Sequence, residues 1–291
     1  MSSKKVIGLD IGGTKIHLGT VQNGNILNEL KLPTAAQASK EHIIKDITKG
    51  IKHLMDADIA GIGIGVAGLV DEQKGIVYGV QNIPSFQEVH LKAYLENHFG
   101  IPVYLTNDAN SFVLGEKLYG RGQYFSNMVG LTLGTGLGGG IILNNQLCSG
   151  TLSSAGEFGG IPYLDKTVED YCSGKFFVQQ FGLSGSDVFA RLEQGQEQAR
   201  QIMQQFGQHL GNVIKIILFS LSPEAIFFGG SVSNCYPYFE EAMRASLQDF
   251  PFKQVKEQLV LERSTLDNAA ILGAAALVHI KSKDLKSMRL V

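Results

Sequence analysis

The sequence predicts an α/β protein made of two related halves, each built on a mixed sheet. VIGLDIGGTKIHLGTV near the start and MVGLTLGTGLGGGIIL in the middle each run an apolar strand through a glycine turn into a second apolar strand. Gly130 and Gly134 are spaced as Gly8 and Gly12 are, which marks a duplication. Strand-like and helix-like periodicities alternate after both hairpins. No Pro- or Ser-rich linker divides the halves. One lobe is therefore expected over 1–115 and a second over 116–275, with a segment 276–291 packed back on the first and a cleft between the lobes.

The elements follow in order. Val6 to Thr20 reads as a hairpin around its glycine turn, and Gln22-Asn23-Gly24-Asn25 is a tight-turn signal before a third strand from Ile26 to Leu32. Ile43, Ile44, Ile47, Ile51 and Leu54 recur at helical spacing. Ile59 to Val66 is an apolar run of strand length. His90 to Phe99 reads as a helix stopped by Gly100 before Pro102. A short strand from Val103 to Leu105 runs out at Thr106-Asn107-Asp108-Ala109-Asn110, and a helix to Tyr119 follows. In the second half, Met128 to Leu133 and Gly139 to Leu143 are strands, Asn144-Asn145 turns, and a short strand starts at Gln146. Glu197 to Phe219 is a long helix tempered by Gly207 and Gly211. Ala225 to Phe228 is a strand ending at Gly229-Gly230, and Asp267 to Ile280 is an alanine-rich helix containing Gly273.

Composition narrows the function. The chain has 291 residues, enough for a large core. A net charge of −2 with no basic block argues against nucleic acid as partner. Cys148, Cys172 and Cys235 stand far apart, so neither a disulfide framework nor a cysteine metal cage is indicated, and a reducing compartment fits. GIGIGVAGLV and AAILGAAALV are too short to span a bilayer, and MSSKKVIGLD carries no signal region. A cytoplasmic protein without a membrane partner is expected. The 35 glycines exceed the usual share of about 7%. They cluster in turns, where backbone bends sharply or approaches a ligand.

Gly134-Thr135-Gly136-Leu137-Gly138-Gly139 satisfies the dinucleotide pattern GxGxxG, but that fingerprint requires a helix to open at its third glycine. Here Gly140-Ile141-Ile142-Leu143 continues as strand. Gly8 to Gly13 has the gap of a P-loop, but Thr14-Lys15 reverses the order that loop needs. Both turns instead combine backbone N–H groups with a threonine hydroxyl, Thr14 and Thr135. That is what a phosphate oxygen needs from a turn between strands.

LDIGGTK, LTLGTGLGGG and IFFGGSVS together resemble the phosphate and adenosine segments of the sugar-kinase, actin and heat-shock ATPase superfamily. Within it the chain resembles the ROK family of bacterial sugar kinases and repressors, from Val6 to about Ala276 with the motifs in the family's order. The resemblance implies two actin-like (ribonuclease H-like) lobes, ATP with Mg2+ in the cleft, a sugar beside the γ-phosphate, and a homodimer. It places Gly12, Gly13, Thr14, Gly134, Thr135, Gly136, Gly138, Gly229 and Gly230 at the nucleotide. It places Asp10 at Mg2+, directly or through phosphate or water. Lys15 is counted with the nucleotide residues, although a strand lysine facing solvent stays open.

Asp108 offers a carboxylate at a strand end, but Asp is also a common helix cap, and the residues alone leave both readings open. The resemblance implies Asp108 as catalytic base and Asn107 as sugar ligand. Asn82 in VQNIPSF, Glu157 in AGEFGG and Glu169 in VEDYCSG are implied as further sugar ligands. An Asp of ordinary pKa is already ionised at neutral pH.

The chain departs from the family in one segment. Most members close the motif matching Glu157-Phe158-Gly159-Gly160 with a histidine, which joins three following cysteines on a structural zinc. Here Gly160 replaces it, IPYLDKTV carries no cysteine, and Cys172 stands alone after Glu169, so no structural zinc is expected. The missing histidine removes a polar contact near the sugar's anomeric and 2-positions, so broad acceptor use is expected. The expected reaction is ATP-dependent phosphorylation of a hexose or N-acetylhexosamine at its 6-hydroxyl, glucokinase-like. An N-acetylmannosamine or N-acetylglucosamine kinase is the alternative. A ROK-type sugar-responsive regulator is a further one, disfavoured because the first strand begins at Val6 with no helix-turn-helix before it.

Overall fold

The computed structural model describes residues 4–288, with side chains as far as Ser282. In chain order the strands are β1 (Lys5–Ile11), β2 (Lys15–Gln22), β3 (Asn25–Pro33), β4 (Ile59–Val66), β5 (Leu69–Asp71), β6 (Ile76–Tyr78), β7 (Glu88–Val89) and β8 (Val103–Asn107). They continue as β9 (Met128–Leu133), β10 (Leu137–Leu143), β11 (Gln146–Leu147), β12 (Pro162–Tyr163), β13 (Lys166–Thr167), β14 (Ala225–Gly229) and β15 (Val260–Arg263). The helices are α1 (Lys40–Leu54), α2 (Leu91–Phe99), α3 (Asp108–Tyr119), α4 (Val168–Cys172) and α5 (Gly174–Phe181). After them come α6 (Gly185–Glu193), α7 (Glu197–Leu221), α8 (Tyr236–Ala245), α9 (Lys253–Gln258) and α10 (Ala269–Met288).

The chain divides into two compact units. The first takes residues up to Tyr124, then Leu147–Ala155, then everything from Leu266; the second takes Phe125–Gln146 and Gly156–Thr265. These divisions differ from the ones expected at 115/116 and 275/276. The reason is that α3, with the turn Arg121–Tyr124 after it, packs on α10, and α10 joins β1 and β4 along its length. Residues 289–291 of the expected end segment lie outside the described residues.

In the first unit a five-stranded sheet runs β3-β2-β1-β4-β8. β1, β2 and β3 are antiparallel, while β4 lies parallel to both β1 and β8. The β2–β3 turn puts Asn23 at φ 52° and Gly24 at φ 77°, the left-handed pair that a two-residue hairpin demands. One face buries Ile7, Leu9, Ile62 and Ile64 against the isoleucines of α1 and Leu91 and Leu95 of α2. On the opposite face glycines alternate with Val6 and Val21, which pack on Ile271, Ala275 and Val278 of α10. A Cβ on Gly63 would lie 1.7 Å from the Ala274 carbonyl oxygen, and one on Gly8 2.3 Å from that of Ile271. The alternation in GIGIGV is therefore apolar on one face and empty on the other, and α10 lies directly on the backbone. A three-stranded sheet of β5, β6 and β7 completes this unit's strands.

The second unit repeats the first sheet. Its order is β11-β10-β9-β14-β15, with β9 antiparallel to β10 and β14 parallel to both β9 and β15. Gly8 pairs with Gly19 in the first hairpin and Gly130 with Gly140 in the second, so the repeated motif occupies the same place in both sheets. Gly207 and Gly211 lower the helix propensity of α7 but let it meet α8 closely. Cβ atoms there would lie 2.4 Å and 2.5 Å from the Phe239 and Met243 carbonyl oxygens. Phe176, Phe177, Phe206 and Phe239 form an aromatic core, with Phe177 stacked on Phe206, and Phe176–Phe177 and Phe206–Phe239 edge to face. α4, α5 and α6 have no counterpart among the expected elements, and β10 begins at Leu137, two residues before the expected Gly139.

Candidate active site

Each unit carries one set of the candidate residues. In the first, β1 delivers Asp10 and then turns at Gly12, whose N–H donates to the Lys15 carbonyl at 3.0 Å. Thr34 braces this turn, its hydroxyl donating to the Gly12 carbonyl at 2.8 Å. Thr14 and Lys15 are exposed. Asn82 lies against the turn: a Cβ on Gly13 would fall 2.3 Å from Asn82 Cβ. The end of β8 supplies Asn107 and α3 begins with Asp108.

The capping question at this strand end now has an answer. Asn107 is the N-cap, its Oδ1 accepting the Ala109 N–H at 2.8 Å while its Nδ2 donates to the Gly68 carbonyl at 3.1 Å. Asp108 is the first helical residue and also accepts from the Ala109 N–H, at 2.9 Å. Burial pushes the Asp108 carboxyl up from its ordinary value, opposed by the Ala109 and Asp108 N–H groups. The half-buried setting thus raises it above the ordinary value assumed from sequence. Gly65 makes room for it, with a Cβ there lying 2.5 Å from Ser111 Oγ and 3.5 Å from Asp108 Cα.

Asp10 shares this environment. Burial pushes its carboxyl up to about 7, the Asp108 charge adds to the rise, and Lys15 opposes it. Two half-buried carboxyls that repel one another, with a lysine on the rim, suit a divalent cation. The raised value also bears on stability. The folded protein keeps the Asp10 proton at pH values where the unfolded chain, near 4, has released it, so stability falls as pH rises through that window. Asp10→Asn is expected to remove this slope. Urea unfolding of the ligand-free protein should then show the variant more stable than wild type at about pH 8, by on the order of a few kcal/mol, and near parity at about pH 4. An unchanged pH slope in Asp10→Asn would rule out the assignment.

Glu72, Ser153 and Lys281, which sequence reading missed, support the strand end together with Thr106 and Asn110. The Thr106 hydroxyl donates to Glu72 Oε1 at 2.7 Å and the Ser153 hydroxyl to the same oxygen at 3.1 Å, while Lys281 Nζ pairs with Oε2 at 3.1 Å. Asn110 Nδ2 donates to Thr106 Oγ1 at 3.3 Å, and Asn110 Oδ1 is buried without a partner among the described residues. Glu72 thereby ties β8, the Leu147–Ala155 segment and α10 together one residue before Asn107. Only the Thr-Asn-Asp-Ala-Asn cluster hinted at this from the sequence. Glu72 and Lys281 are too distant along the chain to be paired by reading.

In the second unit the Gly134–Leu137 turn is held by the segment that follows Glu169. Glu169 Oε2 accepts the Leu137 N–H at 3.0 Å, the Gly174 N–H donates to the Gly134 carbonyl at 2.7 Å, and the Ser173 hydroxyl donates to that of Thr135 at 3.2 Å. Gly136 and Gly159 both face Glu169, where Cβ atoms would lie 2.4 Å and 3.6 Å from its Oε2. Glu157 is exposed at the head of the short Phe158–Gly160 turn.

Gly134 and Thr135 open a cavity of about 670 Å3 whose other lining includes Gly174, Lys175, Phe189 and Val232, a volume suited to a nucleotide. Gly230 turns the chain towards it at φ 81°, and a Cβ there would meet the Leu133 carbonyl oxygen at 2.4 Å. Gly138 and Gly229 do not line this cavity. They flank Thr132 as ladder partners in β10 and β14.

The β12–β13 hairpin is fastened by side-chain hydrogen bonds. The Tyr163 hydroxyl bonds His209 Nδ1 and Asn212 Nδ2, each at 3.2 Å, and the Tyr171 hydroxyl donates to Asp165. Thr167 and Asp170 form a capping box on α4. Burial pushes the Cys172 thiol up, away from the thiolate a metal needs. Among the described residues no group of three His, Cys, Asp or Glu side chains could hold a metal ion. No helix among them is long and apolar enough to cross a membrane.

Two mixed sheets of one strand order, each opening on a glycine turn, define the class shared by sugar kinases, actin and heat-shock ATPases. The chain belongs to the ROK family, whose model matches residues 6–281. A glucokinase of Thermotoga maritima is 29% identical over 96% of this chain and 98% of its own. An N-acetyl-D-glucosamine kinase of Citrobacter koseri is 28% identical over 94% of this chain and 98% of its own. A ROK family glucokinase from Streptomyces griseus, solved in complex with glucose and AMPPNP, superposes with a TM-score of 0.82 at 28% identity, covering 94% of this chain and 98% of that one.

Proposed function

We propose that this ATP-dependent sugar kinase transfers the γ-phosphoryl group to the 6-hydroxyl of a hexose, with glucose as the leading acceptor. The observation that carries the reading is the pairing of Asp108 with Asn107 at the end of β8, beside Asp10, in a family whose similar members are named glucokinases. Asp108 takes the hydroxyl proton and orients the attacking oxygen. Asn107, Asn82, Glu157 and Glu169 hold sugar hydroxyls. Asp10 holds Mg2+, which balances phosphate charge when bound. The nucleotide occupies the cavity that opens at Gly134 and Thr135, with backbone N–H groups towards the phosphates.

An N-acetylhexosamine acceptor is the second reading. It is supported by Gly160, which is exposed and where an added Cβ would meet nothing within 4 Å. A panel assay of ADP formation with glucose, mannose, fructose, N-acetylglucosamine and N-acetylmannosamine separates the two. Glucose giving the highest kcat/KM supports the first reading, and an N-acetylhexosamine giving it supports the second. No turnover on any sugar refutes both.

A further inference from the structure

Lys175 was in none of the expected ligand sets, yet it occupies a distinctive place. It is the second residue of α5, and its side chain is 42% exposed. Its Nζ lies 2.5 Å from Glu169 Oε1, while the other oxygen of that carboxylate receives the Leu137 N–H. The residue before it, Gly174, hydrogen-bonds to Gly134, and a Cβ at Gly174 would sit 2.9 Å from the Gly134 carbonyl oxygen. The absence of that Cβ lets α5 start against the glycine turn.

The cavity gives the lysine its meaning. Its other described lining residues are glycines, apolar side chains, hydroxyls, amides and a thiol, so Lys175 is the only charged group among them. A nucleoside polyphosphate brings several negative charges into such a space. A lysine ammonium is a mobile point charge well suited to phosphate oxygen, and a half-exposed one can turn from a carboxylate to a phosphate without being stripped of water. Glu169 keeps its bond to the Leu137 N–H through that change, so the turn stays held.

We propose that Lys175 binds a phosphate oxygen of the nucleotide in this cavity, exchanging part of its pairing with Glu169 for the phosphate. This rests on the reading of the cavity as the nucleotide site. It adds a recognition element for the charged part of the ligand, where the cavity's remaining lining is neutral.

The test compares ADP with adenosine by calorimetric titration, with no sugar present. Lys175→Met is expected to weaken ADP by about tenfold, the loss of one charge-assisted contact, and to leave adenosine within about twofold. Lys175→Arg should retain most of the ADP preference. A second measurement uses the wild-type chain, so it does not depend on a variant folding: acetylation of Lys175, followed by mass spectrometry, should be suppressed more by ADP than by adenosine. Equal ADP affinity in wild type and Lys175→Met, or equal labelling with the two ligands, overturns the role of Lys175 and leaves the nucleotide site standing. Failure of the wild-type chain to bind ADP at all overturns both.

Discussion

Asp108→Asn is expected to lower kcat by about 10²–10⁴-fold, the usual worth of a positioned general base. The exchange keeps the shape of the side chain and removes its basicity and its charge. It should leave the fold intact, because Asn107 and not Asp108 caps α3. ADP affinity should stay within about twofold of wild type, since the proposed nucleotide cavity is lined by residues of the other unit. The pH profile adds a second readout. Burial raises the Asp108 carboxyl, and the Asp108 charge adds to the burial that brings Asp10 to about 7. A base must be ionised to act. Wild-type kcat/KM is therefore expected to fall on the acid side through a value above the ordinary Asp range near 3.9. A coupled assay of ADP release across pH, with a thermal melt as control, checks both points. Turnover in Asp108→Asn within about threefold of wild type would remove Asp108 from the role of base.

Gly63→Ala is expected to destabilise the first unit by about 3 kcal/mol, at the upper end of what overpacking costs. The added Cβ would come within 1.7 Å of a backbone carbonyl oxygen in α10, and backbone cannot swing aside as a flexible side chain would. The helix would have to lift, and neighbouring positions compound the problem. Gly8 faces the Ile271 carbonyl oxygen, and Gly273 of α10 faces that of Ser111 in α3. Gly160→Ala is the control, since nothing lies within 4 Å of its added carbon. It should move stability by no more than about 0.5 kcal/mol. Urea unfolding followed by circular dichroism compares the two, and a Gly63→Ala curve that overlays the control would refute the packing account.

Local chemistry made much of the fold legible. The Asn23-Gly24 turn, the isoleucine stripe of α1, the Gly100 stop after α2 and the apolar run of β4 each carry their signal within a dozen residues. The strands β5, β6, β7, β12 and β13 did not, because two or three residues hold no periodicity to read. α4 to α6 were missed for a related reason: they are five to nine residues long, and their order comes from capping boxes and aromatic packing rather than from a long amphipathic stripe. Within the site, Asp10, Asn107 and the glycine turns stood out as residue types at strand ends. Glu72, Lys281 and Lys175 did not, since their significance lies in partners rather than in motifs.

The sequence by itself determined the duplicated hairpins and their glycine turns, because hydrophobic period and turn chemistry act between near neighbours, and its motifs marked the candidate carboxylates by resemblance. Tertiary structure decided which glycines line a cavity and which serve packing. Gly134 lines a cavity, Gly138 is a ladder position, and Gly63 makes room for a helix more than two hundred residues along the chain. It also decided that Asn107 caps α3, that burial raises both carboxyls, and that Glu169 holds a turn through one oxygen and a lysine through the other. The missing Cβ reads the same in each case until the surrounding backbone is in place. A carboxylate's proton affinity likewise depends on water and charges that only the folded chain arranges.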